Sequence, residues 1–275
     1  MSVTAKALWY IESHLVDDDL SLDAIAESAG VSRFHLSRAF AAALGVPLAT
    51  YARARRLSEA AKLLAGGASD ILDVALTAGY GSHEAFTRAF RQHFDVTPEQ
   101  FRLHPNQPLQ EPLRMNPTHA NTLTAPRIEK HEAILLFGLS MHCKMTGDPG
   151  IPTLWNKFTP YIGNIEAKVS NATYGACYNS DDAGNYEYLC AIEVRNFPAE
   201  PKEFTRLRVP EQTYAVFEHQ GHISGIAGTF RAIWEHGLSD AGVKASDGPL
   251  FERYDENFNG MTGQGGLEIW IPIRV

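Results

Sequence analysis

Along the first hundred residues the apolar side chains recur at intervals of three and four, as in "KALWYIESHLV" and "LDAIAESAG", the spacing that lines one side of an α-helix. The pattern then breaks. The stretch "LHPNQPLQEPLRMNPTHANTLTAP" is rich in Pro, Asn and Thr and follows neither the helical nor the strand period, which predicts a linker. Beyond it, alternating runs such as "EYLCAIEV" and "LEIWIPI" predict strands, interleaved with helical stretches such as "TLWNKF" and "GTFRAIWEHGL". Two domains are therefore expected: an all-α domain over residues 1–105, a linker over 106–122, and an α+β domain over 123–275.

Each part repeats itself. In the first, "DAIAESAGVSRFHLSRAF" is answered by "DVALTAGYGSHEAFTRAF", which aligns Gly30 with Gly79, Arg38 with Arg88 and Phe40 with Phe90; the second copy carries one extra residue after its glycine. Each copy reads as a helix, a tight turn and a second helix, so two helix-turn-helix motifs are expected. Gly30 and Gly79 fall where the first helix must stop with positive φ, and Ser32 and Ser82 are placed to cap the second. Thr97, Pro98 and Gln100 form a further helix start of cap, first-turn proline and box partner. In the second part, Trp155 and Trp234 are 79 positions apart, as are Ile192 and Ile271, and each half reads strand, helix, strand, strand.

Placing the two second helices on a helical wheel separates their faces. Leu36, Ala39, Phe40 and Ala43 form one apolar stripe, and Phe86, Ala89, Phe90 and His93 the other. That leaves Phe34, Ser37, Arg38 and Ala41 outward in the first helix, and Glu84, Thr87, Arg88 and Arg91 outward in the second. Such faces suit helices lying in the major groove of DNA, where Arg reads guanine with two hydrogen bonds and Ser or Thr bonds base or phosphate. Two of them in one chain can enter successive grooves, roughly 34 Å apart, without a second subunit.

Charge narrows this reading. The whole chain carries a formal net charge of -8, and residues 1–106 hold ten Lys or Arg against twelve Asp or Glu, which argues against a protein that coats nucleic acid indiscriminately. Binding would rest on placement, with Arg53, Arg55, Arg56 and Lys62 available to phosphates and Asp17, Asp18 and Asp19 set elsewhere. Three scattered cysteines, Cys143, Cys177 and Cys190, and the lack of a signal peptide or of an apolar run near ~20 residues point to a cytoplasmic protein with no membrane segment. The histidines of "HCKM" and "HQGH" lack a second half that would complete a metal site, and no phosphate loop or nucleophile elbow is present; no metal, cofactor or catalytic residue is expected.

The first part resembles the DNA-binding domain of the AraC/XylS family of transcriptional regulators over about residues 5–104. "YARARRLSEAAKLL" is similar to the family's connecting helix, and "ILDVAL", "GYGSHEAFTRAF" and "DVTPEQFR" to its second-motif signature. The resemblance implies DNA contacts from Arg33, Phe34, Ser37 and Arg38 in the first helix and from His83, Glu84, Thr87 and Arg88 in the second, beside Arg91. Family members of this layout carry tryptophan and glutamine in place of Phe34 and Ser37, and a glutamine pair in place of His83 and Glu84, so a different operator is expected. Double-stranded DNA bound by a monomer, with RNA polymerase as a candidate partner and activation as the favoured output, follows from the same resemblance.

The second part, through "YAVFEHQGH", "FERY" and "LEIWIPI", resembles the GyrI-like effector-binding domain. Along the last strand Leu267, Ile269, Ile271 and Ile273 share one face and should pack on a helix, while Glu268 and Trp270 share the other. A carboxylate beside an aromatic suits an amphipathic cation, through charge and through cation–π attraction. The resemblance implies an acidic ligand contact at Glu268; Trp270, Glu252, Tyr254, Tyr174, Tyr178 and Trp155 are the candidate walls of that small-molecule site. Two alternatives remain open: a hydrolase of reactive small molecules with Glu268 as base, and a protein-interaction module.

Overall fold

The local signals for helix ends hold in three dimensions. In the computed structural model, which describes residues 2–15, 20–67, 70–105, 108–109, 111–112, 123–145 and 150–274, Gly30 and Gly79 adopt φ of 76° and 77°. Ser32 and Ser82 accept hydrogen bonds from the backbone N–H groups of His35 and Ala85, each at 3.2 Å. Thr97 and Gln100 form the reciprocal capping box with Pro98 in the first turn. Asp17, Asp18 and Asp19, and most of the stretch expected to be a linker, lie outside the described residues.

The N-terminal part is all helical. Its elements are α1 (Val3–Ser13), α2 (Leu22–Ala29), α3 (Arg33–Leu44), α4 (Leu48–Ala65), α5 (Ile71–Thr77), α6 (His83–Phe94) and α7 (Pro98–Leu103). Helix α4 bridges the two helix-turn-helix units. The second unit has a core of its own, built on Phe86, Phe90, Phe94 and Phe101 with Leu57 and Leu64.

The C-terminal part is a curled antiparallel sheet with helices on one face. In chain order it runs β1 (Arg127–His131), β2 (Ile134–Lys144), α8 (Ile151–Phe158), β3 (Lys168–Tyr178), β4 (Asn185–Val194), β5 (Thr205–Val209) and β6 (Gln212–Glu218). It continues with α9 (Ile226–Ala232), a π-helical segment (Ile233–Gly237), α10 (Leu238–Asp240), β7 (Lys244–Ala245), β8 (Leu250–Tyr254) and β9 (Leu267–Arg274). Neighbouring strands lie in the order β1-β6-β9-β8-β3-β4-β2-β5, with β7 also pairing with β9.

Both faces of this sheet are buried, for different reasons. On one, Ile269, Ile271 and Ile273 pack with Leu154, Phe158 and Trp234 of the covering helices. On the other, Tyr174, Tyr214, Phe251 and Trp270 pack against one another with strand residues alone, Phe251 and Trp270 being stacked at 5.3 Å. A flat sheet would leave that face in water; curling brings its side chains together. Gly138 shows how tightly the strands meet, because a Cβ there would lie 1.9 Å from the backbone oxygen of Cys190.

The helix-covered core does not stop at the sheet's helices. It continues into the first helix-turn-helix unit, so that Ile11, Ile25, Leu36 and Phe40 belong to one apolar cluster with Trp234, Tyr188 and Ile269. The second unit stands outside this shared core.

Candidate functional site

The two outward helix faces have different fates. On α6, Glu84, Arg88 and Arg91 are exposed. His83 approaches Glu99 of α7 at 3.4 Å, and Thr87 is half-buried with an enclosed hydroxyl. Hydrogen bonds from its own backbone N–H and from Ser82 hold the Glu84 carboxyl below the usual carboxylate range. This face presents two arginines, Arg88 and Arg91, to any approaching duplex.

On α3 the matching face is turned onto the C-terminal part. Phe34 meets Trp234 edge-on at 5.9 Å, and His35, which the wheel placed on neither face, sends Nε2 to the backbone oxygen of Trp234 at 2.7 Å. That oxygen belongs to the π-helical segment, whose wider turn departs from the regular helical ladder. Burial lowers the His35 pKa, against the opposing pull of the Trp234 carbonyl and Glu235, and so favours the neutral ring. Arg33 pairs with Asp23 at 3.3 Å and with Asp182 in the β3–β4 loop. Arg38 reaches Ser180 of the same loop, and its guanidinium lies 5.4 Å from the ring centres of both Phe34 and Tyr186. Its Nε is buried and has no hydrogen-bond partner among the described residues. Ser37 borders a second, smaller hollow with Asp181, Asp182 and Asp247. The expectation of two outward-facing polar helices is therefore met at α6, whereas at α3 the C-terminal part covers the surface.

Arg55 departs from the expected phosphate contact. It is 3% exposed and held by Glu12 and Glu59 at 2.7 and 3.0 Å, tying α1 to α4. Burial opposes its charge, but Glu12 and then Glu59 more than offset that and raise its pKa. Arg53 and Lys62 are exposed.

Under α3 lies a cavity of about 340 Å³. One wall is Arg38, Ala41 and Ala42 of α3; another is Ala227, Phe230 and Trp234; the floor is Cys177, Tyr186, Tyr188 and Glu252 of the sheet. Glu252 is 7% exposed and accepts hydrogen bonds from the hydroxyls of Tyr188 at 2.8 Å and Tyr254 at 2.7 Å. Trp155 in turn donates Nε1–H to the Tyr188 hydroxyl at 3.2 Å. Burial pushes the Glu252 carboxyl above the usual range, with the two tyrosines partly opposing the shift. Gly175 makes the network possible, since a Cβ there would lie 2.2 Å from the Tyr188 hydroxyl and 2.6 Å from Glu252 Oε2.

The expected ligand-binding residues divide between the two faces of the sheet. Glu252, Tyr254 and Trp155 belong to the helix-covered side, at or behind the cavity floor. Glu268, Trp270, Tyr174 and Tyr178 lie on the opposite face. There Glu268 is bound by Arg127 at 2.8 Å, Arg253 at 3.4 Å and the indole N–H of Trp270 at 3.0 Å, so its charge is already compensated. Tyr174 donates to Glu193 at 3.0 Å. Tyr186 and Tyr188 were missed; with Cys190 they share one face of β4 at period two, the signal that marks a paired aromatic wall. All three cysteines are free and buried, and burial pushes the Cys177 thiol up to about 12. Among the described residues no group of His, Cys, Asp and Glu is arranged to hold a metal, and no helix is long and apolar enough to cross a membrane.

A cavity floored by a carboxylate and tyrosines, beside the arginine-bearing second helix of a helix-turn-helix unit, is the arrangement of a small-molecule-binding domain joined to a helix-turn-helix domain. The chain belongs to the GyrI-like small molecule binding domain family, which matches residues 124–274, and a helix-turn-helix domain of the AraC/XylS type precedes it, matched over residues 25–104. It is similar to the transcriptional regulator BrlR of Pseudomonas aeruginosa, 33% identical over 149 residues that make up 54% of each chain. It is also similar to the right origin-binding protein of Escherichia coli, 45% identical over 98 residues, or 36% of this chain and 34% of that one. The matched part thus spans about half of the first relative and about a third of the second. Among solved structures, SAV2435 bound to tetraphenylphosphonium matches 55% of this chain and 94% of its own, at 18% identity and a TM-score of 0.45.

Proposed function

We propose that this chain is a sequence-specific DNA-binding transcriptional regulator, with activation as its output, whose C-terminal domain binds an amphipathic cation. In this reading residues 1–105 form the DNA-binding domain, 106–122 the linker and 123–275 the effector domain. The last is a duplicated strand-helix-strand-strand unit, a reading supported by the sheet order, in which β3-β4-β2 and β8-β9-β6 run outward from the centre in corresponding positions. Regulators among the relatives, and the joining of both domains in one chain, support the whole. RNA polymerase remains the candidate protein partner and one chain the DNA-binding unit.

The observation that carries the effector class is Glu252, a carboxylate held in a largely apolar cavity by two tyrosines. Its burial costs several kcal/mol unless a cation or hydrogen bonds compensate. Aromatic neighbours add attraction for a flat or lipophilic cation. Glu252, Tyr254 and Trp155 are the working set for this site; the Glu268, Trp270, Tyr174 and Tyr178 set would need its arginine partners displaced first. A raised carboxyl pKa means the folded chain takes up a proton more readily than the unfolded one. Its contribution to stability is complete below the unfolded value of about 4.3 and is lost as pH rises through the raised value. Cation affinity runs the other way and grows across that window, because binding favours the ionised form.

Calorimetry with tetraphenylphosphonium is expected to show binding with proton release at pH values below the raised Glu252 pKa. Glu252→Gln should lose roughly tenfold or more in affinity for that cation; equal affinity in the two proteins would remove the charge from the account. For DNA, Arg88→Ala should weaken binding to a selected duplex by about 1–3 kcal/mol, read by fluorescence anisotropy at fixed salt. An unchanged affinity would take α6 out of the interface.

A further inference from the structure

Arg38 is an awkward occupant of the place it holds. Its guanidinium is sandwiched between two aromatic rings, at 5.4 Å from each, inside the wall of a cavity whose floor carries Glu252. Ser180 and the Cys177 thiol are its hydrogen-bonding neighbours, Nε has no partner, and no carboxylate is paired with it among the described residues. An arginine remains charged under such conditions. The chain has therefore placed its own cation in an aromatic cage, from the very helix whose outward face would read DNA.

The loop that receives α3 resembles what DNA would offer. Asp182 binds Arg33, Asp181 and Asp247 border the same hollow, and Gly184 brings the loop against Pro47, the residue that leads into α4, where a Cβ would lie 2.8 Å from the proline ring. A carboxylate of the loop thus stands opposite Arg33, which would otherwise face phosphate or base.

We infer that α3 docks on the effector cavity as an internal stand-in for the ligand, so that a lipophilic cation in the cavity and Arg38 in its cage exclude one another. The inference rests on the effector reading above and extends it to regulation. Two cations in one desolvated cavity repel far more strongly than they would in water. A cation drawn to Glu252 consequently weakens the hold on Arg38, and α3 is released toward DNA. By linkage, anything that undocks α3 must tighten cation binding by the same factor. A ligand that filled the cavity without opposing Arg38 would instead cement α3 in place, so the charge of the effector sets the sign of the response.

Hydrogen exchange on the full chain, with and without tetraphenylphosphonium, tests this, with calorimetry under the same conditions. Exchange in α3 is expected to accelerate roughly tenfold on saturation with the cation, while α6 is unaffected. Two variants supply the reverse arm. Asp182→Lys, which turns the loop against Arg33, should free α3 without ligand and raise cation affinity. Arg38→Gln, which removes the internal cation, should also bind tetraphenylphosphonium several-fold more tightly. Binding that leaves α3 as protected as before, or more so, overturns the inference alone, as does a loss of cation affinity in Arg38→Gln. Failure of the parent chain to bind the cation at all overturns the effector reading beneath it.

Discussion

Gly175→Ala is expected to be the single-methyl change that most disturbs the effector cavity. The added carbon would sit 2.2 Å from the Tyr188 hydroxyl and 2.6 Å from Glu252 Oε2, and both side chains are buried with little room to withdraw. Either the tyrosine or the carboxylate must leave its hydrogen bond. Overpacking of this kind costs about 1–3 kcal/mol or more, and a buried carboxylate deprived of donors adds to it. Urea unfolding followed by circular dichroism should show the loss, and calorimetry should show tetraphenylphosphonium affinity falling with it. Gly138→Ala provides the comparison. There the clash is with backbone, 1.9 Å from the oxygen of Cys190, so stability should drop further while the geometry around Glu252 in the surviving folded fraction is spared. An alanine at 175 that unfolds with the parent and binds the cation equally would show that the carboxylate–tyrosine network does not govern the cavity.

The second large effect is expected at Arg55→Ala. Removing one member of a buried ion pair costs about 3–5 kcal/mol, and here the lower part of that range applies because Glu12 and Glu59 keep 25% and 34% of their side chains in water. Tyr51 also donates to Glu12 at 2.6 Å, so the link between α1 and α4 loses its centre. The loss should appear in denaturant unfolding. The slope of log affinity for DNA against log salt, measured where the variant is folded, should be unchanged. Arg53→Ala, an exposed arginine on the same helix, should do the opposite: stability is retained, and the slope falls by about 0.9 if that residue neutralises one phosphate. A reduced slope in Arg55→Ala would return that residue to the DNA surface.

The covered state of α3 changes what the two helix-turn-helix units mean. They were built alike, with matching glycines, caps and arginines, yet one shares its core with the effector domain and the other does not. In the structure α6 keeps Arg88 and Arg91 exposed, whereas on α3 Arg33 is held by Asp23 and Asp182 and Arg38 is taken up by the C-terminal part. A protein needing both helices for specific binding would thus be at rest when α3 is docked, and its occupancy of DNA would follow the equilibrium of that single contact.

How far the residues themselves disclosed this differs from feature to feature. Gly30, Gly79, Ser32, Ser82 and the Thr97–Gln100 box were legible because each hydrogen bond joins residues three or four positions apart. The faces of β9 were legible too: Ile269, Ile271 and Ile273 lie under the helices, and Glu268 and Trp270 lie on the far side. Which of those faces bears the cavity was not. Alternation distinguishes two faces of a sheet, but when helices bury one and curling buries the other, both carry apolar residues and neither is marked. Glu268 was therefore singled out as the acidic contact and Glu252 placed only among the walls, and the arrival of Arg127 and Arg253 beside the first, and of two tyrosines beside the second, is what separates them.

The order of residues alone determined the helix boundaries, the duplicated motif, the strand faces and the family, since all are written at separations of a few positions or in motifs read along one segment. The covering of α3 was decided by the tertiary structure. Arg38 faces outward from its own helical unit, as the wheel requires, and what it meets there is Ser180 and Tyr186, brought from more than a hundred positions away. Burial between such distant segments depends on how two finished surfaces match in shape and charge, and a local pattern carries no record of the partner.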